Sequence, residues 1–421
     1  MLAACVFWAL GLQSEVPKEL GQYVSRPDST YSWASTSIDG HEAFDLVSQT
    51  WQGETWRHDV VLVRPASPTN LGAAIIEITG WEPNDRDYQY AKTLADASGL
   101  PVAILFQIPN QPIWEREEDD LIGHTFEKFF ETGDPSWPLL FPMVKSVVRT
   151  MDMIEESTKR SGSPVNRFVL TGASKRGWTA WLAAAVRDDR VIGVAPAVFD
   201  NLDFVAQLER QQLYWDAYSP MISDYTDRGL QDLLETERGK RLIQMVDPVS
   251  YLPAVSAPLL MLTGTNDPFW TVDSAQVYWD RLVMPKSAIA IPNAGHGMGD
   301  ESWWVPSLGA FAQYCAEGRK LPYVDSSLQI EPETWRIRVD VEPGPAKYRV
   351  WSATSGDLHF EDAEWATIQT AETAATDGRR TIWVSGNRSK RKNQALMVEL
   401  EFNLDGRQFR LTTPVYLVRK R

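Results

Sequence analysis

Residues 166–180 read NRFVLTGASKRGWTA. An apolar run from Phe168 to Leu170 ends in a Gly-x-Ser, and a stretch with helical spacing follows without a linker. This order predicts a buried strand, a sharp corner at Ser174 and a helix that starts at once, so that one hydroxyl is raised above the end of the strand. A simpler interpretation stays open, because serine is also a common N-cap residue of an ordinary helix.

The sequence on both sides of this corner alternates short apolar runs with helical patterns. The apolar runs, most of which end at Gly, Pro or Asn, are 73–80, 102–109, 167–172, 191–198, 258–264 and 287–293. Helical spacing is present at 86–99, 137–159, 175–188, 272–284 and 301–318. Buried strands alternating with helices predict an α/β fold with a doubly wound, mostly parallel sheet, and 42–51 and 55–65 are predicted to form an antiparallel pair at its edge.

Three regions are predicted along the chain, and one of them carries insertions. The regions are an N-terminal segment (1–24), the α/β domain (25–322) and a C-terminal part (323–421). The C-terminal part has short alternating runs with Asp405-Gly406 as a hairpin turn, which is typical of a small antiparallel β-sandwich. Long insertions near 110–136 and 199–246 follow predicted strands, and loops of this length usually wall or cover a functional site.

The composition narrows the ligands that the protein is expected to bind. Fifty-six acidic residues against 41 basic ones give a formal charge of −15, which disfavours nucleic acid and anionic membranes as partners. Eighteen Trp residues offer flat faces that suit sugar rings or apolar groups. Cys5 and Cys315 are the only cysteines, and no His/Cys/Asp set has ligand spacing, so we expect no internal disulfide, no metal and no cofactor.

The first residues point to export. Residues 2–12 are apolar, a run too short to span a bilayer but long enough for the hydrophobic part of a secretory signal, although the usual basic start is missing. We therefore predict a secreted, periplasmic or cell-surface protein with no integral membrane span. Leu2 to Cys5 also have the pattern of a lipoprotein cleavage box, in which case Cys5 carries a lipid anchor. A buried N-terminal helix is the alternative.

Two later loops carry groups that can activate a serine. GTNDPFW follows one predicted strand and PNAGHG follows the next, which places Asp267 and His296 just beyond late strands of the sheet. Serine, aspartate and histidine in this chain order are typical of α/β-hydrolases, and we predict Ser174, His296 and Asp267 as catalytic residues. Asp200, after the strand at 191–198, is the reserve candidate for the acid.

Acyl transfer also needs donors for the developing oxyanion. We predict the backbone N–H groups of Lys175, at the corner, and of Trp81, in the loop after the strand at 73–80. The side chains of Lys175 and Arg176 add positive charge that would stabilise an anionic transition state or hold a substrate carboxylate, unless they are simply solvated. The residues predicted to contact the substrate are Arg176, Trp270, Glu118 and His124.

Several long strings resemble a known family. ITGWEPNDRDYQYAKTLA, REEDDLIGHTFEKFFETGDPSWPLLFPMVKSVVRTMD and TGASKRGWTAW are similar to sequences of the PhoPQ-activated pathogenicity-related family, which includes autocrine proliferation repressor proteins, and the likeness runs from about residue 25 to the C-terminal strands. The resemblance implies an exported α/β-hydrolase-like protein with a β-rich tail. The corner at Ser174 is also similar to that of glucuronoyl esterases, which have a basic residue close after the nucleophile.

The sequence therefore predicts a secreted serine hydrolase that works through an acyl-enzyme. The expected substrate is a carboxylic ester, a carbohydrate ester among the candidates, since both insertions are rich in aromatic residues. A serine exopeptidase is the first alternative, because the acidic run at 115–120 would seat a free amine if it is not merely a solvated surface. The second is a non-catalytic binding or signalling protein on a hydrolase fold.

Overall fold

The computed structural model describes residues 16–160, 162–186, 188–373 and 378–421. The α-helices are α1 (Glu19–Ser25), α2 (Asp85–Ser98), α3 (Glu118–Thr132), α4 (Leu140–Arg160), α5 (Lys175–Ala185), α6 (Phe204–Trp215), α7 (Ser223–Thr226), α8 (Leu230–Leu233), α9 (Glu237–Val246) and α10 (Glu301–Ala316). Short 3-10 helices span Pro220–Ile222, Pro248–Ala254, Ser274–Val277 and Trp279–Arg281.

The strands of the α/β region are β1 (Ser32–Ile38), β2 (His41–Trp51), β3 (Glu54–Val63), β4 (Ala73–Ile78), β5 (Val102–Leu105), β6 (Arg167–Ala173), β7 (Val191–Ala197), β8 (Leu259–Gly264) and β9 (Lys286–Ile291). The C-terminal strands are β10 (Tyr323–Ile330), β11 (Thr334–Glu342), β12 (Lys347–Ser355), β13 (Ala366–Glu372), β14 (Arg380–Asn387), β15 (Asn393–Leu404), β16 (Arg407–Thr412) and β17 (Tyr416–Val418).

The main sheet is doubly wound, as predicted. Its order is β1-β2-β3-β5-β4-β6-β7-β8-β9, in which the strands from β5 to β9 are parallel and β1, β2 and β3 form an antiparallel edge. After β4, the chain adds β5 on one side of that strand. It then returns to the other side of β4, where β6, β7, β8 and β9 follow in order. Ligands of open parallel sheets bind outside the carboxyl ends of the strands at such a switch point. Here that point lies between the loop after β4 and the corner after β6.

Helices cover both faces of this sheet because successive residues of each buried strand point to opposite sides. Ile76 of β4 belongs to an apolar cluster that includes Trp181 of α5. Ile75, its neighbour, belongs to a second cluster with Leu94 of α2 and Leu308 of α10. Near-continuous apolar strands are what a sheet buried on both faces requires. The chain has the α/β-hydrolase fold, confirming the predicted fold class.

The C-terminal strands form two packed sheets, and one of them continues the main sheet. β10, β11 and β14 make a separate three-stranded antiparallel sheet. β16, β15, β12 and β13 extend the main sheet beyond β9 through the pair Thr412 and Ala288. Val339 and Val398, from the two sheets, lie in one apolar cluster that also includes Leu308 of α10. The predicted β-sandwich is thus fused to the α/β region through shared strands and core.

Two predicted boundaries need correction. Residues 19–24, which the sequence assigned to the N-terminal segment, belong to α1, and Leu20 and Tyr23 of this helix are buried in the core against α4. The folded domain therefore begins before residue 25, the predicted boundary. The helix predicted at 272–284 is two short 3-10 turns. The insertion at 110–136 contains α3, and that at 199–246 contains α6 to α9.

The signal and lipid-anchor predictions concern residues 1–15, which lie outside the described part of the chain. Within the described part, no helix combines the length and the apolar character needed to cross a membrane.

Candidate active site

Ser174 lies at the corner between β6 and α5. Its backbone has φ 59° and ψ −128°, a strained conformation for a residue other than glycine. The side chain makes no capping hydrogen bond to α5. An ordinary N-cap serine would accept a hydrogen bond from the first helical turn, so the simpler interpretation of this serine fails. A strained backbone and a hydroxyl with no hydrogen-bond partner among the described residues are typical of a nucleophile corner.

Two glycines make this corner tight. A Cβ at Gly172 would lie 2.9 Å from the carbonyl oxygen of Ile78 in β4. A Cβ at Gly177, one turn into α5, would lie 2.9 Å from the carbonyl oxygen of Ala197 at the end of β7. Both contacts are closer than real side chains make, so the strands and α5 approach each other only because these positions lack a side chain.

His296 and Asp267 are in direct contact. Nδ1 of His296 is 2.8 Å from Oδ2 of Asp267, after β9 and β8 respectively. The other carboxylate oxygen of Asp267 accepts a hydrogen bond from the Phe269 N–H at 3.0 Å, and the Phe269 ring stacks on the imidazole at 4.1 Å between centroids. A carboxylate at Nδ1 holds the proton there and leaves Nε2 as the acceptor. Asp267 thus caps the turn at Phe269 with one oxygen and contacts His296 with the other.

Ser174 and His296 face the same space. Two cavities meet at this point, and both residues line each of them. Among the described residues, no hydrogen bond joins the two side chains, and contacts between a catalytic base and its serine often tighten only when substrate binds. The structure thus brings the three predicted loop tips to one rim, with the His296–Asp267 contact formed. Their catalytic roles remain predictions.

The two cavities differ in character. The first, about 130 Å³, is lined mainly by apolar and aromatic side chains, more than half of them from the insertion at 199–246. The second, about 670 Å³, is a polar cleft between the loop after β4, the corner at Ser174 and the start of α10. Ser174, Lys175 and His296 belong to both. The insertion shapes the site, as its length suggested.

The predicted oxyanion donors lie at the polar cleft. Lys175 is the first residue of α5, where backbone N–H groups have no partner within the helix. Trp81 lies in the loop after β4, its carbonyl oxygen accepting a hydrogen bond from the Gln107 N–H at 3.2 Å and its side chain 62% exposed. Both residues line the cleft beside Ser174. The arrangement agrees with the predicted oxyanion hole, which stays a prediction.

The charges that follow Ser174 are already paired. Nζ of Lys175 lies 2.6 Å from Oε2 of Glu118, and the Arg176 guanidinium binds both oxygens of Glu118 at 2.7 and 2.5 Å. Burial opposes ionisation of Glu118, but the hydrogen bonds and charges of Arg176 and Lys175 outweigh it and lower its pKa to about 2. Lys175 also contacts Asp119 at 3.2 Å.

This pairing revises the predicted substrate contacts. The third donor of Arg176, Nε, binds the Ile108 carbonyl oxygen at 2.6 Å, so the buried guanidinium is held by the protein. Arg176 and Glu118 line the cleft but position each other, and neither offers a free charge to a substrate carboxylate or amine. Trp270 lines the apolar cavity. His124 lines neither cavity and packs against Trp114 in the insertion, so we no longer assign it a substrate contact.

The reserve acid is engaged elsewhere. Both carboxylate oxygens of Asp200 accept hydrogen bonds from hydroxyls, of Ser274 and of Tyr278. Burial raises the pKa of Asp200 to about 7, so it is not a ready partner for an imidazolium. Asp267, which contacts His296, is the better candidate for the acid.

The remaining histidines do not reach the site. His41, His58, His124 and His359 line neither cavity. His58 resembles half of a catalytic pair, with Nε2 3.0 Å from the Ser48 hydroxyl. Both residues are fully enclosed, however, and burial lowers the pKa of His58 to about 4. This pair is a core polar network without access to substrate. Among the described residues, no three His, Cys, Asp or Glu side chains group in a way that could hold a metal ion.

The sequence analysis missed two asparagines that support the site. Asn266 precedes Asp267, and its side-chain amide donates to carbonyl oxygens of the C-terminal part, at 2.7 Å for Ala363. Asn293, in the loop of His296, binds Trp365. The strings GTND and PNAGH carried the only signal, a short amide side chain directly before Asp267 and another three positions before His296.

Residues 20–360 match the profile of the PhoPQ-activated pathogenicity-related protein family. The chain belongs to this family. Autocrine proliferation repressor protein A of Dictyostelium discoideum is 32% identical over 366 residues, which cover 80% of this chain and 74% of that protein. The resemblance found in the sequence is confirmed.

Solved structures with a similar fold include two acetyl xylan esterases. That of Paenibacillus sp. R4 is 14% identical with a TM-score of 0.45, covering 66% of this chain and 86% of the esterase. Acetyl xylan esterase 1 of Thermoanaerobacterium sp. JW/SL YS485 is 15% identical with a TM-score of 0.44, covering 69% and 94%. At 14% and 15% identity, these esterases are similar to the chain in fold alone.

Proposed function

We propose that this protein is a serine hydrolase that cleaves carboxylic esters through an acyl-enzyme. The observation that carries the proposal is the contact of His296 with Asp267 at the rim of the two cavities that Ser174 also lines. A strained serine with a free hydroxyl, an oriented imidazole and a helix start are the parts that acyl transfer needs.

The reaction begins when Oγ of Ser174 attacks the ester carbonyl carbon and His296 Nε2 takes the hydroxyl proton. The oxyanion is held by the N–H groups of Lys175 and Trp81. The carbon–oxygen bond to the alcohol then breaks, and His296 returns the proton to the leaving oxygen. Water then attacks the acyl carbon while His296 Nε2 takes its proton. The bond from that carbon to Oγ of Ser174 breaks, His296 returns the proton to Oγ, and the carboxylic acid leaves. Asp267 stabilises the imidazolium and fixes its tautomer throughout.

Ester cleavage is favoured over aminopeptidase activity by the state of the acidic run at 115–120. A binding site for a free amine needs unpaired carboxylates near the nucleophile. Glu118 and Asp119 are the members of this run that line the cleft, and both contact Lys175. Asp120 is paired with Arg116 and Arg228. The charge that would recognise an amine is therefore already neutralised.

A fluorophosphonate probe tests the proposal directly. We expect covalent labelling of the native protein at Ser174, lost in Ser174→Ala and strongly slowed in His296→Ala. The matched controls are Ser67→Ala and His359→Ala, which change residues outside both cavities and should label like the native protein. Absence of labelling, or labelling that persists in Ser174→Ala, would overturn the proposal and favour a binding or signalling protein on a hydrolase fold.

A further inference from the structure

The two cavities meet at the proposed nucleophile but differ sharply in chemistry. A substrate carbonyl at Ser174 has two substituents, and the site offers one compartment for each. We infer that the apolar cavity takes the acyl group of the ester, that this group is apolar and of about six carbons, and that the polar cleft takes the alcohol. The inference rests on the proposed function and adds its substrate class.

The side chains that line the apolar cavity are mainly aromatic and aliphatic. Trp178 of α5 stacks on Phe199 with 5.2 Å between ring centroids, and Phe204 of α6 meets the same indole edge-on at 5.1 Å. Leu208 and Leu242, from α6 and α9, complete its wall. Each apolar carbon moved from water into such a lining contributes to binding, at about 0.8 kcal/mol per CH₂. A hydroxylated or charged group would lose its hydration against the aromatic and aliphatic part of this lining, and only the few polar side chains there, such as Asn201 and Gln231, could replace it.

Its size limits the group that fits. The cavity measures about 130 Å³. A dry cavity of about 150 Å³ lined by Leu, Ile and Phe is known to bind benzene. A hexanoyl chain or a benzoyl ring is therefore near the upper limit, whereas an acetyl group leaves most of the lining uncovered.

The order of the reaction assigns the acyl group to this side. The acyl group stays bound to Ser174 after the first step, while the alcohol leaves and water takes its place at His296. The leaving side must therefore admit water and release a product. The cleft of about 670 Å³ suits that role, because its lining includes the polar side chains of Asn84, Arg86, Asp87 and Glu301.

The test compares p-nitrophenyl acetate, hexanoate and dodecanoate, which share one leaving group. We expect kcat/KM for hexanoate to exceed that for acetate by at least tenfold and that for dodecanoate to fall below hexanoate. Leu208, in α6, lines the cavity and is partly buried, whereas Leu213 in the same helix is 70% exposed. Leu208→Trp should remove most of the preference for hexanoate over acetate, and Leu213→Trp should leave that preference and the acetate rate unchanged.

A second variant shows whether the effect of Leu208→Trp arises from the filled cavity or from misfolding. Phe204→Ala enlarges the same cavity and should shift the preferred chain length from hexanoate towards longer acyl groups. A native enzyme that prefers acetate, or parallel effects of Leu208→Trp and Phe204→Ala on all three esters, would overturn this inference while the proposed function stands. Failure to hydrolyse any ester together with failure of Ser174 to react with the fluorophosphonate would overturn the proposed function itself.

Discussion

The side-chain amide of Asn293 exchanges two hydrogen bonds with the backbone of Trp365. Its Nδ2 donates to the Trp365 carbonyl oxygen at 3.0 Å, and its Oδ1 accepts from the Trp365 N–H at 2.7 Å. Asn293 belongs to the loop that carries His296, and Trp365 lies in the C-terminal part of the chain. The histidine loop is therefore fixed to a region more than sixty positions further along the sequence.

The loop of Asp267 is tied to the same segment. Asn266 donates to the carbonyl oxygens of Phe360 and Glu361, each at 3.1 Å, and of Ala363 at 2.7 Å. The two loops also bind each other, through the Asn266 N–H and the Ala294 carbonyl oxygen at 2.9 Å. The C-terminal part thus contributes directly to the placement of the proposed acid and base, in addition to extending the sheet.

We predict that Asn293→Ala lowers kcat by about tenfold to a hundredfold with little change in KM. The reason is that a displacement of a catalytic group by about 1 Å can cost a factor of 10² in rate, whereas this side chain lies outside both cavities. Steady-state kinetics on an ester that the native enzyme cleaves provides the measurement. The control is Asn387→Ala, an exposed residue at the end of β14. An unchanged kcat would mean that the histidine loop keeps its position without Trp365.

We predict that Asp267→Asn lowers kcat by about 10⁴, the size of effect seen when an amide replaces the acid of a serine protease triad. The contact of 2.8 Å between Asp267 and Nδ1 of His296 would then join two donors unless the imidazole changes its tautomer. In the first case the two donors repel each other and the imidazole is displaced, and in the second Nε2 carries the proton and cannot accept that of Ser174. Rates of ester hydrolysis and of fluorophosphonate labelling measure the effect. Asp300→Asn, at the N-cap of α10, keeps a capping oxygen and should leave both rates unchanged.

The sequence predicted the strands, the corner and the order of the catalytic candidates because these depend on local patterns. Apolar runs ending at Gly or Asn mark buried strands, and the glycines around Ser174 mark a tight corner. The hydroxyl, carboxylate and imidazole then follow strands that a parallel sheet brings to one edge. Gly177 is one of these glycines, since a side chain there would meet the end of β7.

The sequence could not predict contacts between distant loops. Glu118 is one of several acidic residues in its insertion, and nothing local distinguishes it as the partner of Lys175 and Arg176. Asn266 and Asn293 reach the C-terminal part because β16 pairs with β9 and brings that part beside their loops. No hydrophobic periodicity in the sequence indicates this strand pairing. The helical spacing at 272–284 likewise did not predict the two 3-10 turns, Ser274–Val277 and Trp279–Arg281, that the chain forms there.

We predict export of the protein with cleavage before Glu19. Residues 2–12 have the apolar character of a secretory signal, whereas Leu20 and Tyr23 of α1 belong to the folded core and have to be retained. Expression in a Gram-negative host with fractionation and mass spectrometry of the purified chain should give a shortened protein in the periplasm or medium. A lipid-modified N-terminus at Cys5 would identify the anchored form. A full-length chain confined to the cytoplasm would contradict the prediction.

We predict that Glu118→Gln destabilises the protein in a manner that depends on pH. Because Arg176 and Lys175 hold the pKa of Glu118 at about 2, below the ordinary 4.5, the native carboxylate contributes stability above pH 4.5 that is lost as the pH falls towards 2. The difference in unfolding free energy between native protein and variant, from urea titrations, should thus be largest near neutral pH and shrink steadily below pH 4.5. Glu117→Gln, an exposed neighbour, should show no such trend. A difference that stays constant between pH 7 and pH 3 would mean that Glu118 acts through packing, not through its charge.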